Sequence, residues 1–207
     1  MYDKENLKNI KEVRIITLGE PDVGKTSIIR RFVNDVFKGD KVTLGIEFSF
    51  KIVELEGNRK IKLSVIDTNG QEKYRALPLN YFKKADVVLF VFALNDSVSF
   101  EKIGQWIDRF NNNNGKNVKK MFLIGNKSDL VKVIEQKEID DFANKYGLTY
   151  METSAKTKNQ INELFTIIAE EAYEDLERKS SMSVGKQKNK IVQKTNINNK
   201  SKANNCC

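Results

Sequence analysis

The chain has 207 residues with 40% hydrophobic content, enough for one cored domain, and 36 Lys plus Arg against 28 Asp plus Glu give a formal charge of +8. Eight of those basic residues and no acid lie in 178–207, so 1–177 balances at 28 of each; a neutral body with a basic tail speaks against a nucleic-acid partner. Apolar runs are too short for a spanning helix, Met1 to Glu5 has no apolar leader, His is absent and the two cysteines are Cys206 and Cys207, which excludes a membrane span, His-based metal or triad chemistry and a disulfide framework, and leads to the expectation of a cytosolic protein.

Residues 1–10 read as a polar extension. Val13, Ile15, Ile16 and Leu18 form a short apolar strand that runs into Gly19-Glu20-Pro21-Asp22-Val23-Gly24-Lys25-Thr26-Ser27. Ile28, Ile29, Phe32 and Val33 then recur at helical spacing. Residues 36–45 are an exposed connection. Ile46 to Leu55 and Lys60 to Asp67 predict two strands, with Glu56-Gly57-Asn58-Arg59 as the hairpin turn. Asp67-Thr68-Asn69-Gly70-Gln71-Glu72 is a loop, and a weak helix is expected over 73–84.

Ala85 to Leu94 is almost wholly apolar, the pattern of a strand covered on both faces. A helix starting near Ser97 or Ser99 presents Phe100, Ile103, Ile107 and Phe110, and the run Asn111 to Asn114 with Gly115 is expected to end it. Met121 to Gly125 is a buried strand entering Asn126-Lys127-Ser128-Asp129. A helix over 135–147 stops at Gly147. Thr149 to Glu152 is a short strand leading to Thr153-Ser154-Ala155-Lys156, and a last helix carries Ile161, Leu164, Phe165, Ile168 and Ala172 to about Arg178. Strands alternating with helices predict an α/β domain over 11–178 around a mostly parallel sheet. Residues 179–207, rich in Ser, Asn, Gln and Lys, read as a solvated tail.

Gly19 to Thr26 fits G-x-x-x-x-G-K-[ST], between a strand and an amphipathic helix. Backbone amides of such a loop wrap a β-phosphate, and the following helix offers its N-terminus to the anion. Gly24 lets the backbone approach closely, Lys25 supplies a point charge to the β- and γ-oxygens, and the Thr26 hydroxyl suits Mg²⁺. Asp67, at the end of an apolar strand, is poorly placed for packing and well placed to hold a metal-bound water. Gly70 can give an amide to a γ-phosphate. Gln71 is too weak a base to take a proton alone, but it can orient water for in-line attack.

Asn126, Lys127 and Asp129 follow a buried strand at the edge where ligands bind. The Asp129 carboxylate can accept from a guanine's N1–H and exocyclic amine, a donor pair that adenine lacks. The Lys127 stem can lie along the ring, Phe37 can stack on the base, and a backbone amide of Ser154-Ala155-Lys156 can reach the base oxygen. Three motifs in order, each at a strand end, point to a guanine nucleotide.

This set of motifs resembles the Ras superfamily of small GTPases, over about 12–176. Thr43-Leu44-Gly45-Ile46-Glu47-Phe48 and the Cys-Cys ending resemble its Rab family. The resemblance implies a three-layer P-loop fold, a six-stranded sheet with one antiparallel strand flanked by five helices, binding GTP or GDP with Mg²⁺. It implies that Asp22, Val23, Gly24, Lys25, Thr26 and Ser27 hold phosphate, and that Thr43 ligates Mg²⁺ in the GTP state. Residues around 38–48 and 68–83 would be switches that recruit effectors and relax on hydrolysis. It further implies an exchange factor, an activating protein, a dissociation inhibitor and an escort protein. The protein would act as a monomer, held by geranylgeranyl groups on Cys206 and Cys207 to a cytosolic membrane face during vesicle traffic. The spaced tail lysines would add a modest attraction to anionic lipid.

The chain departs from the family pattern at several positions. Pro21 and Asp22 stand where a small residue and a glycine are usual, so the loop lacks one amide and gains a carboxylate. That carboxylate is expected to weaken nucleotide binding and speed exchange unless it faces solvent. Asn69 replaces the usual Ala, Ile66 the usual Trp, and switch I is one residue short. With Phe48 and Tyr81, Ile66 would make an altered effector patch. The leading reading is a Rab-like GTP hydrolase; the alternative is a GTP-binding scaffold in which Pro21, Asp22 and Asn69 impair hydrolysis.

Overall fold

The computed structural model describes residues 10–37, 46–68, 79–113, 118 and 120–178. Two units divide at Glu170/Glu171, and the first carries the sheet and the site. The strands are β1 (Lys11–Leu18), β2 (Ile46–Leu55), β3 (Arg59–Thr68), β4 (Val87–Ala93), β5 (Lys120–Asn126) and β6 (Thr149–Glu152). The helices are α1 (Lys25–Asn34), α2 (Leu79–Lys84), α3 (Ser97–Glu101), α4 (Ile103–Asn113), α5 (Gln136–Tyr146) and α6 (161–178). Only Lys102 separates α3 from α4, so the two replace the single helix expected there.

The sheet has six strands in the order β2-β3-β1-β4-β5-β6. The β2–β3 hairpin is antiparallel, and every other pairing is parallel. Its turn is a 3₁₀ turn over Glu56–Asn58, where Gly57 takes φ 72°. The connection from β1 leads through α1 to the β2–β3 hairpin on one side, and the chain then returns to β4 on the other side of β1. A crevice therefore opens at the carboxyl ends of the central strands, the usual ligand position in an open α/β sheet. The carboxyl ends of β1, β3, β5 and β6 carry all four candidate loops to that one edge.

Strand alternation sorts the core into two layers. Ile16, Leu18, Val88, Phe90, Phe92 and Leu123 pack into one cluster with Phe82 of α2, Phe100 of α3, Trp106 and Phe110 of α4, and Ile139 of α5. In α1, Phe32 stacks on Phe165 of α6, ring centroids 3.7 Å apart. Every residue of β4 is buried, as its unbroken apolar run requires. Asp96 caps α3 by accepting from the Ser99 amide, and Gly147 ends α5 in the left-handed conformation.

The run Asn111 to Asn114, expected to end the helix, enters it: α4 is described to Asn113, whose Nδ2 donates to the Arg109 carbonyl at 2.7 Å, and buried Phe110 anchors the turn. Tertiary packing overrides the weak helix propensity of Asn there. The expected helix over 73–84 is described only as α2, because 73–78 lie outside the described residues. Phe48 and Phe50, part of an alternating apolar set on β2, remain 63% and 59% exposed.

Candidate active site

The phosphate loop leaves β1 at Gly19 and enters α1 at Lys25. A methyl group on Gly19 would lie 2.1 Å from the Val91 carbonyl oxygen of β4, and one on Gly24 would lie 2.3 Å from Asn126 Nδ2. Both glycines also have positive φ, 149° and 95°. Their spacing is thus dictated by close backbone approach on two sides. Lys25 is buried and donates to the carbonyls of Gly19 at 3.0 Å and Glu20 at 2.8 Å. The ammonium is held over the loop, at the N-terminus of α1, where an anion is favoured. Asp22 takes φ 62°, a conformation that Asp tolerates better than most residues, and is exposed. Its exposure meets the condition under which its charge acts weakly on a bound phosphate.

Asp67 is 2% exposed, and neither carboxylate oxygen has a hydrogen-bond partner. Burial pushes its carboxyl up to about 6, while the Thr26 hydroxyl and the Lys25 charge favour the ionised form. Thr26 does so without a well-formed hydrogen bond to either oxygen. A buried orphan carboxylate beside a hydroxyl is the donor set of a hard divalent cation. Among the described residues, no cluster of three or more His, Cys, Asp or Glu could hold a metal alone. Such a site suits Mg²⁺, which commonly takes one or two protein oxygens and completes its shell with water and phosphate.

The base-side loops are tied to each other and to the phosphate loop. Asn126 is buried; its Nδ2 donates to the Val23 carbonyl at 2.8 Å, and its Oδ1 accepts from Thr153 Oγ1 at 3.2 Å and the Ala155 amide at 3.3 Å. The side chain of Asp129 is 13% exposed, accepts from Ser154 Oγ at 2.6 Å and faces the Lys156 ammonium at 3.7 Å. One Asp129 oxygen thus fixes its orientation on Ser154. Lys127 takes φ 63° at the turn that follows β5. The Arg31 guanidinium donates to the carbonyls of Ala155 at 2.9 Å and Lys156 at 3.2 Å, and also to the Asp35 carbonyl at 3.0 Å. It also sits 5.9 Å from the Phe37 ring, which is 41% exposed. This fork links the end of α1 to the loop after β6.

Comparison with known proteins decides the family. The model of the Ras family matches residues 14–174. The chain belongs to the Ras family. It is 30% identical over 197 residues to Ras-related protein SEC4 of Saccharomyces cerevisiae, covering 94% of this chain and 91% of that protein. It is 35% identical over 159 residues to Ras-related protein Rab-1D of Dictyostelium discoideum, covering 75% and 77%. It is also 30% identical over 198 residues to GTP-binding protein ypt1 of Schizosaccharomyces pombe, covering 94% and 96%. Within the Ras family it is a Rab-like small GTPase, with the mostly parallel six-stranded sheet expected of that fold.

Against the Ras-family pattern, the structure brings Asp22, Val23, Gly24, Lys25, Thr26, Ser27, Asp67, Asn126, Lys127, Asp129, Ser154, Ala155 and Lys156 to one sheet edge. Thr43, Asn69, Gly70 and Gln71 lie outside the described residues, as do Cys206 and Cys207, and Tyr81's side chain is not described. Sequence reading missed Lys102 and Trp106, which donate to the Glu20 carboxylate of the phosphate loop, and Arg31, which donates to the Ala155 carbonyl. The chain's single Trp, at helical spacing behind the phosphate loop, was the one visible signal.

Proposed function

We propose that the protein is a GTP/GDP switch of vesicular membrane traffic that recruits effectors in the GTP state and hydrolyses GTP to GDP and phosphate. The observation that carries this reading is the orphaned, buried carboxylate of Asp67 beside Thr26, at the helix end that Lys25 guards. Lys25, the amides of 22–27 and the N-terminus of α1 would hold the β- and γ-phosphates. Thr26 and Asp67, with Thr43 in the GTP state, would hold Mg²⁺, which when bound supplies positive charge at the phosphate oxygens.

Asp129, fixed by Ser154, would accept from the guanine edge. Lys127 and Phe37 would flank the ring, and the Ala155 amide would turn toward the base oxygen from its long bond to Asn126. Gln71 would orient the attacking water, and Gly70 would donate to the γ-phosphate. Loss of that phosphate would release Thr43 and Gly70, and with them the segments 38–48 and 68–83.

Effectors would meet those segments beside an altered patch. Its described part is exposed Phe48 over buried Ile66, bordering a groove of about 340 Å³ with Arg14, Phe50, Lys62 and Lys84. Exchange factor, activating protein, dissociation inhibitor and escort protein are expected for this organisation, in which 11–178 form the GTPase domain and 179–207 a basic tail. Two geranylgeranyl groups on Cys206 and Cys207 would hold it to a cytosolic membrane face. Among the described residues, no helix is long and apolar enough to cross a membrane.

Single-turnover GTP hydrolysis by purified protein, with and without Gln71→Leu, tests the catalytic part. Slow turnover that falls about tenfold or more in the variant is expected if Gln71 orients the water. Turnover that is negligible in both proteins, even with an activating protein, would favour the scaffold reading.

A further inference from the structure

The phosphate loop is braced by a residue whose side chain is held from the segment that carries α3 and α4. Glu20 receives the Trp106 indole N–H on Oε1 at 3.2 Å and the Lys102 ammonium on Oε2 at 3.2 Å. Its backbone carbonyl accepts from Lys25 at 2.8 Å. The carboxylate is 12% exposed, Trp106 is 4% exposed, and Lys102 lies at the break between α3 and α4. Both donors come from more than eighty residues away in sequence. Each carboxylate oxygen has a donor, so this acid is neutralised where an unpaired charge would oppose a phosphate.

The neighbouring residues make that brace consequential. Pro21 has no amide, and Asp22 stands at positive φ in an exposed position. Gly19 is seated against Val91 and Gly24 against Asn126. Between those two seats Asn126 holds the Val23 carbonyl, and the loop is also held through Glu20, from its carbonyl by Lys25 and from its carboxylate by Lys102 and Trp106.

We propose that Glu20, Lys102 and Trp106 form a latch that positions the phosphate loop and sets the rate of nucleotide release. Glu20 acts as a positioning residue: it fixes the carbonyl that steers Lys25, and Lys102 cancels its charge. The inference rests on the reading of this loop as a nucleotide site. Because Trp106 is the only Trp in the chain, its emission reports the latch directly.

The test follows release of fluorescently labelled GDP, in Mg²⁺, from the full-length protein and from Glu20→Ala, Glu20→Gln and Lys102→Met, together with Trp106 emission. Glu20→Ala is expected to release GDP about tenfold faster, the effect of losing charge-assisted hydrogen bonds at a buried acid. Lys102→Met is expected to speed release by several-fold, since it removes the ammonium that Glu20 Oε2 accepts from, and to add nothing in the Glu20→Gln background. Emission of the wild type is expected to change on GDP loss, and that response to vanish in Glu20→Ala. Lys102 is partly exposed, so its variant keeps the test open if Glu20→Ala does not fold. Wild-type release rates in Lys102→Met and Glu20→Gln, with an unchanged emission response, would overturn the latch. Failure of the wild type to bind GDP would instead overturn the nucleotide reading beneath it.

Discussion

Asp67 concentrates the electrostatics of the site in one side chain. Its carboxyl is pushed up from 3.8 to about 6 by burial, so without metal the fold prefers the protonated form. The sign of the linkage follows. In metal-free protein this preference contributes its full stability below about pH 4, and the contribution is lost as pH rises through 6, by at most roughly 3 kcal/mol. Asp67→Asn removes the buried charge and keeps the shape. Thermal unfolding in EDTA is therefore expected to show the variant more stable than wild type at pH 7.5 and nearly equal below pH 4. The same variant is expected to lose the slowing of nucleotide release by Mg²⁺. A variant less stable at pH 7.5, with the Mg²⁺ effect intact, would mean that Asp67 is a packing residue.

At the scale of elements, the phosphate loop depends on how closely β1 approaches β4. Gly19 has no room for a methyl group against Val91 O. Gly19→Ala is expected to abolish GDP binding and to lower the unfolding midpoint, whereas Asp22→Ala, at an exposed position, is expected to leave the midpoint within a degree or two. Circular dichroism melts with nucleotide titration check both. The elements themselves were legible because each carries its own period: β4 by its unbroken apolar run, α1 by Ile28, Ile29 and Phe32, α5 by Gly147 at its end. The break at Lys102 was not, since Lys102 pairs with Glu20, 82 residues away in sequence. The site divides the same way. Gly19 to Thr26, Asp67, Asn126 to Asp129 and Ser154 to Lys156 announce themselves as contiguous motifs. The bonds from Arg31 to Ala155 and from Trp106 to Glu20 cross 124 and 86 residues, and local patterning carries no trace of such pairings.

Over the whole molecule, charge is partitioned by position. The 28 basic and 28 acidic residues of 1–177 leave a neutral body, and the +8 resides in 178–207, next to the two proposed lipid sites. The positive charge of the chain therefore belongs to the segment that would meet a membrane, and the proposed nucleotide site would draw its specificity from oriented groups at one sheet edge. In the proposed reading its selectivity would be built from Asp129 on the base side and Lys25, Thr26 and Asp67 on the phosphate side, joined through Asn126. Removing either half should collapse affinity, but only the base side distinguishes guanine from adenine. The most direct measurement is competition of GDP and ADP for the nucleotide-free protein in Mg²⁺. A site whose oriented carboxylate acceptor requires the guanine donor pair is expected to favour GDP by about a thousandfold or more, and Asp129→Ala to erase most of that margin. Comparable affinities for GDP and ADP, or a margin untouched by Asp129→Ala, would contradict the account.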